Sequence, residues 1–159
     1  MKMNKRYLLI TICSLVVSAF STNAIDQSAN AKTTLLVHKT ATCGCCNQWV
    51  KHIKNNGFIV DTQNHQNLED IKNMYEIETQ YRSCHTAVSS NGFVFEGHIP
   101  SKFITQFLSE DHPDAIGLSV PGMPLGSPGM EAGDLFMPFE VLILYKDGTS
   151  KVYANVNKK

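Results

Sequence analysis

The chain has 159 residues, with 14 basic and 14 acidic side chains that cancel, and 43 % of it is hydrophobic. That length supplies one domain with a real core. The charge pattern contains neither a basic stripe for nucleic acid nor a block of like charge, which excludes a nucleic-acid partner and a charged disordered tail.

The first 24 residues read as a signal peptide. Lys2, Lys5 and Arg6 are followed by an apolar run from Tyr7 to Phe20 and by the small residues "STNA", which predicts cleavage after Ala24. The apolar run spans 14 residues, against roughly 20 for a membrane-spanning helix. The expectation is therefore an exported protein that is not an integral membrane protein after cleavage. Its domain runs over 25–159, with 11 basic and 14 acidic groups, a net charge of −3. Cys13 leaves with the leader, and four cysteines remain: Cys43, Cys45, Cys46 and Cys84.

"TTLLVH" (33–38) is a short strand. "CCNQWVKHIKNNG" carries helical spacing, with Trp49, Val50 and Ile53 on one face and Gly57 as the stop. "FIVDT" (58–62) is a second strand. "NLEDIKNMYEI" is a second helix, capped by Asn67, with Leu68, Ile71, Met74 and Tyr75 toward the core. "HTAVSSNGFVFEG" is a hairpin through Asn91-Gly92. "SKFITQFLSE" is a third helix with Phe103, Ile104, Phe107 and Leu108 apolar. An irregular stretch of about 28 residues follows, Gly- and Pro-rich over 117–134, a length usually kept for function or disorder. "FEVLILYKDGTSKVYANV" closes the chain as a hairpin through Asp147-Gly148. The order predicts an α/β fold with a thioredoxin-like β-α-β-α-β-β-α core and an added C-terminal β-hairpin.

The chemistry concentrates in "TATCGCCNQW". Cys43 and Cys46 have C-x-x-C spacing, and Cys45 sits between them. Disulfides are the default for cysteines in an exported protein, but neighbouring thiols bridge poorly, and clustered soft thiolates suit a metal. The loop stands at a helix start, where backbone N–H groups and the helix dipole favour anionic sulfur. Gly44 is expected to let the backbone turn tightly there. In thioredoxin-like chains the residue before the third strand faces this loop, so Cys84 in "SCHTA" should meet the other three. His85 and His98 are further candidate ligands, each set against a bland alternative: a side chain that points away along the strand, or a surface histidine. His38 is expected to pack near the loop, and His52, His65 and His112 to be solvated. Met123 and Met130 are soft thioethers within the long loop. They are candidates to ligate Cu(I) or gate the site, or else simply cover apolar surface.

Three readings stay open from the residues. Four thiolates can hold Cu(I), with bridging sulfurs sharing more than one ion; a single four-thiolate zinc fits less well, because adjacent Cys45 and Cys46 strain a mononuclear site. Cys43 can attack and Cys46 resolve in a thiol–disulfide oxidoreductase. A passive chaperone would hand copper to a partner without chemistry.

"CGCC", "SCHTA", "EGHIP" and "GMPLGSPGME", in this order over about 34–155, resemble the exported copper-resistance proteins of the CopG type. The resemblance implies a thioredoxin-like periplasmic protein. It further implies a thiolate-bridged multi-copper centre at Cys43, Cys45, Cys46 and Cys84, and a role in copper redox handling, with other periplasmic copper-handling proteins as partners. His38 stands where many relatives have tyrosine.

Overall fold

A computed structural model of the protein describes residues 32–158. The leader 1–24, its cleavage point at Ala24 and Cys13 lie outside them.

The apolar strand signal at 33–38 becomes β1 (Thr34–Thr40), which leads into α1 (Gly44–Asn55). Trp49, Val50 and Ile53 are buried on one face of α1, as the 3.6-residue period requires, and the chain leaves through Gly57 at φ 92°. β2 (Ile59–His65) follows and pairs parallel to β1. The second helix, α2, is short: Glu69–Met74, with the Asn67 side chain accepting from the Glu69 N–H at 2.6 Å. Its buried residue is Lys72, while Met74 is 69 % exposed. The amphipathic count that placed Met74 inward fails because α2 stops within two turns and Ile77, beyond it, fills the core position.

A 3₁₀ turn (Thr79–Tyr81) leads to the hairpin β3 (Thr86–Ser89) and β4 (Val94–Glu96), closed at Asn91-Gly92. Next come α3 (Ser101–Ser109), β5 (Ala115–Ser119), and the hairpin β6 (Phe139–Tyr145) and β7 (Ser150–Val156). β5 falls inside the stretch expected to be irregular. Its Gly117 reads as a breaker, yet it marks a bulge against β6. A Cβ there would lie 1.8 Å from the Val94 carbonyl oxygen, so glycine admits close approach of β4.

The described residues form a mixed α/β fold with three α-helices and one seven-stranded sheet ordered β2-β1-β3-β4-β5-β6-β7. β1/β2 and β4/β5 are parallel and the other pairs antiparallel. Period-2 alternation divides the strands between two apolar clusters. The larger takes Leu35, Val37, Ala87, Phe95 and Leu118 together with Trp49 and Ile53 of α1 and Ile104 and Phe107 of α3. The smaller takes Val94 and Leu144 with Ile77, and Tyr75 and Tyr81 pack against it. No helix of the described residues is long and apolar enough to cross a membrane.

Candidate metal and thiol site

The site is built where β1 hands over to α1. Cys43 caps the helix, its sulfur accepting the Cys46 N–H at 3.2 Å. Gly44 is the first helical residue and takes no left-handed angle, so the tight turn expected of it is absent. Cys43 and Cys46 are joined as a disulfide, and Cys45 and Cys84 are free thiols. Cys45 Sγ lies 3.5 Å from Cys43 Sγ, and Cys84 Sγ lies 3.5 Å from Cys46 Sγ. The disulfide thus has a free thiol at each end. All four sulfurs fall within 4.8 Å of one another. Cys46 is buried and the other three half-buried.

Two imidazoles complete the group. Cys84 Sγ, His85 and His98 also lie mutually within 4.8 Å. His98 Nε2 is 3.0 Å from Cys84 Sγ, and its Nδ1–H donates to the Pro128 carbonyl at 2.8 Å. That bond fixes the tautomer and leaves the Nε2 lone pair facing the sulfur, the arrangement by which an outer carbonyl orients a histidine ligand. His85 Nδ1 is 3.4 Å from the same sulfur; its ring packs on Trp49 with centroids 4.4 Å apart, and its buried Nε2 has no hydrogen-bond partner among the described residues. Trp49 is held by its Nε1–H to the Ile99 carbonyl at 2.9 Å. Neither His85 nor His98 is at the surface.

Burial governs the protonation of these groups. It pushes the Cys84 thiol up to about 12, with Cys45 adding to the rise. It holds His98 below the ordinary imidazole range, and His85 well below it, with the charges of His98 and Lys72 pushing His85 the same way. Neutral imidazole is the ligand form, whereas the Cys84 thiol must lose its proton to bind a cation.

The long loop reaches the site through its backbone. A Cβ on Gly129 (φ 86°) would lie 2.6 Å from the Cys45 carbonyl oxygen, 2.8 Å from the Trp49 nitrogen and 3.3 Å from His98 Nδ1. Gly129 therefore sits directly on the first turns of α1, next to the Pro128 carbonyl that orients His98. Met123 is 51 % exposed and Met130 half-buried.

Other histidines fall elsewhere. His38 is buried on β1 and its Nδ1 is 2.9 Å from His65 Nε2, so neither ring is simply solvated. His52 Nε2 accepts the Ser101 N–H at 3.1 Å at the start of α3, and His112 stacks on Phe107 at 4.2 Å. Polar sequence surroundings hide these partners, which arrive from distant segments.

A buried ion pair escapes sequence reading altogether. Lys72 of α2 and Glu96 of β4 bond directly, and Glu96 also accepts the Thr86 hydroxyl and the Ser83 N–H, each at 2.6 Å. Burial raises the Glu96 carboxyl, opposed by Lys72, Thr86 and Ser83.

By its donor set this is a protein whose site chemistry runs through sulfur and imidazole on a mixed α/β frame. Two solved structures are similar to it. "Copper resistance protein copG- Form 2" is 36 % identical, with a TM-score of 0.75, covering 79 % of this chain and 99 % of that one. "Copper resistance protein copG- Form 1" is also 36 % identical, with a TM-score of 0.74, covering 79 % and 98 %. The chain belongs to the CopG family of copper resistance proteins. The family model described as "Protein of unknown function, DUF411" matches residues 81–130, the span from the Cys84 segment to the loop over the site. No curated protein sequence matches.

Proposed function

We propose that this protein is exported to the periplasm and contributes to copper resistance there by holding more than one Cu(I) ion in a thiolate-bridged site. Cys43, Cys45, Cys46 and Cys84 are its sulfur ligands, with His98 and His85 as nitrogen ligands on the Cys84 side. The observation that carries this reading is the convergence of four sulfurs and two imidazoles from separated segments within 4.8 Å limits, in a chain related to copper resistance proteins. Thiolate and imidazole are soft to borderline donors that suit Cu(I), and bridging spreads their charge over several ions.

A thioredoxin-like reading of the core supports the placement. Strands β2-β1-β3-β4 are contiguous, β1 and β2 are parallel, and the C-x-x-C pair opens α1 while Cys84 precedes β3. Met130 follows Gly129 in the loop and is half-buried where Met123 is exposed, so of the two thioethers it is our candidate to gate the bound copper.

The Cys43–Cys46 disulfide favours a second reading, a thiol–disulfide oxidoreductase. The two share a starting step: a dithiol reductant must supply two electrons and two protons to open that bond to two thiols, and the thiols lose those protons when they bind Cu(I) as thiolates. Anaerobic Cu(I) titration of reduced protein, with metal analysis, tests the first. The expected result is more than one Cu(I) per chain, with substantial loss in Cys84→Ser. Full stoichiometry in Cys84→Ser, or no copper binding alongside rapid disulfide reduction, overturns the copper reading in favour of the second. Addition of Cu(II) or O₂ to the loaded protein then separates turnover from passive copper transfer.

A further inference from the structure

We propose that the buried Lys72–Glu96 pair is a positioning device for the site, fixing Cys84 against the C-G-C-C loop from the opposite face of the sheet. The inference rests on the copper-site reading above.

Cys84 is the one sulfur that does not belong to the α1 loop, so its position depends on what holds Ser83 to Thr86. Glu96 holds both ends of that tetrapeptide: one carboxylate oxygen accepts the Ser83 N–H, and the other accepts the Thr86 hydroxyl. The bonded residues flank Cys84 and His85, the two that face the other sulfurs and the Trp49 ring. Lys72 then fixes the carboxylate, bonding Glu96 directly and the Thr86 hydroxyl at 3.1 Å. Every member except Ser83 is fully or nearly fully buried.

Packing alone does not require this arrangement. A buried ion pair seldom adds stability over apolar residues of similar volume. Lys72 also occupies the inward position of a helix otherwise rich in polar residues. What the pair supplies that a leucine and a methionine would not is direction: two charge-assisted acceptor bonds that fix the backbone on one side of Cys84 and the side chain two residues beyond it. Other bonds hold the segment as well: Ser83 to the Gly122 carbonyl and Arg82 to Glu69, Asn73 and the Ile77 carbonyl on its outer side, the Gly97 N–H to the His85 carbonyl at 3.0 Å, and the pairing of Thr86 with His38 and Glu96 in the sheet. None of these bonds a side chain to both ends of the segment, as Glu96 does.

The test is Lys72→Met/Glu96→Leu in the full mature chain. Glu96→Leu alone strands an ammonium in the core and can simply fail to fold, whereas the double change conserves volume and removes both charges. The readout is per-cysteine alkylation by iodoacetamide in reduced, metal-free protein, followed by anaerobic Cu(I) titration. The expected result is a folded protein in which Cys84 alkylates several-fold faster while Cys45, held by α1, keeps its rate. Copper affinity should then fall by about 10- to 100-fold, the usual effect of removing an outer partner of a metal site. A folded double variant with the wild-type Cys84 rate overturns the proposal, whatever its copper binding. A wild-type protein that binds no copper would instead refute the preceding section, and the alkylation comparison would still decide this one.

Discussion

Gly129→Ala should damage the site without touching any donor atom. Two effects add. The residue sits at φ 86°, a left-handed angle that costs an L-residue about 1–2 kcal/mol. The new methyl group would also meet the Cys45 carbonyl oxygen at 2.6 Å and the Trp49 nitrogen at 2.8 Å. Both atoms belong to the backbone of α1, which is packed on the core through Trp49, Val50 and Ile53, and cannot turn aside, so the loop must retreat by roughly 1 Å to restore normal contact. The Pro128 carbonyl, now 2.8 Å from His98 Nδ1, would move beyond hydrogen-bond range, for a further loss of about 1 kcal/mol. The sum is about 2–3 kcal/mol, a fall in melting temperature on the order of 10 °C.

Gly122→Ala is the matched comparison. It lies in the same loop at φ 68°, and its Cβ would meet nothing within 4 Å, so it should show only the backbone cost of about 1–2 kcal/mol. Thermal unfolding of both reduced, metal-free variants by far-UV circular dichroism measures the difference, and anaerobic Cu(I) competition against a chelator measures the consequence. Gly129→Ala should be the less stable and should bind copper more weakly. If the two variants melt together and bind copper alike, the loop is not seated on α1 and does not orient His98.

Gly44→Ala should be tolerated, because Gly44 is helical and its Cβ would meet nothing within 4 Å; urea unfolding should show no loss, and a gain of at most about 1 kcal/mol. The metal-free protein should lose stability on acidification from neutral pH. His85 and His98 have lowered values in the fold, so the unfolded chain takes up protons first, below about pH 6.5, and the stability present above that pH is lost as pH falls toward the folded values. The difference in unfolding free energy between about pH 7.5 and pH 5 should shrink in His85→Phe, which keeps a ring against Trp49 without the titrating nitrogens. Met123→Leu should change stability by less than about 0.5 kcal/mol and leave copper binding intact, because Met123 is exposed. Met130→Leu should instead speed air oxidation of bound Cu(I), followed by loss of the Cu(I)–thiolate absorbance.

The sequence made the helices and hairpins legible wherever period and turn chemistry agree. Trp49, Val50 and Ile53 are buried as spaced, and Asn91-Gly92 and Asp147-Gly148 close the two hairpins. Convergence of Cys84 on the C-x-x-C pair was legible too, because a thioredoxin-like reading of the element order sets the residue before β3 against this loop, and the start of β3 does pair with the end of β1. What stayed hidden depends on partners that spacing cannot reveal. Gly117 looks like a breaker until the Val94 carbonyl is set against it. Lys72 looks like part of a solvated face until Glu96 arrives from β4. The Pro128 carbonyl is a main-chain atom and leaves no trace in residue identity.

The site divides at the start of β3. His85 and Thr86 are adjacent, and period-2 alternation sends them to opposite sides of the sheet. His85 meets Trp49 and the Cys84 sulfur on the side of the larger core, while Thr86 meets Lys72 and Glu96 on the other. A displacement of this strand end therefore changes donor geometry and ion-pair geometry together. The sulfurs of the α1 loop do not share this dependence, because Cys43, Cys45 and Cys46 ride on one helix whose packing comes from Trp49, Val50 and Ile53. The group thus joins a rigid three-sulfur half to a half made of Cys84, His85 and His98, whose position is set by buried polar bonds and by the Pro128 carbonyl. Substitutions around the second half should tune how the two halves meet, whereas in the first the sulfurs keep their places unless a cysteine itself is replaced.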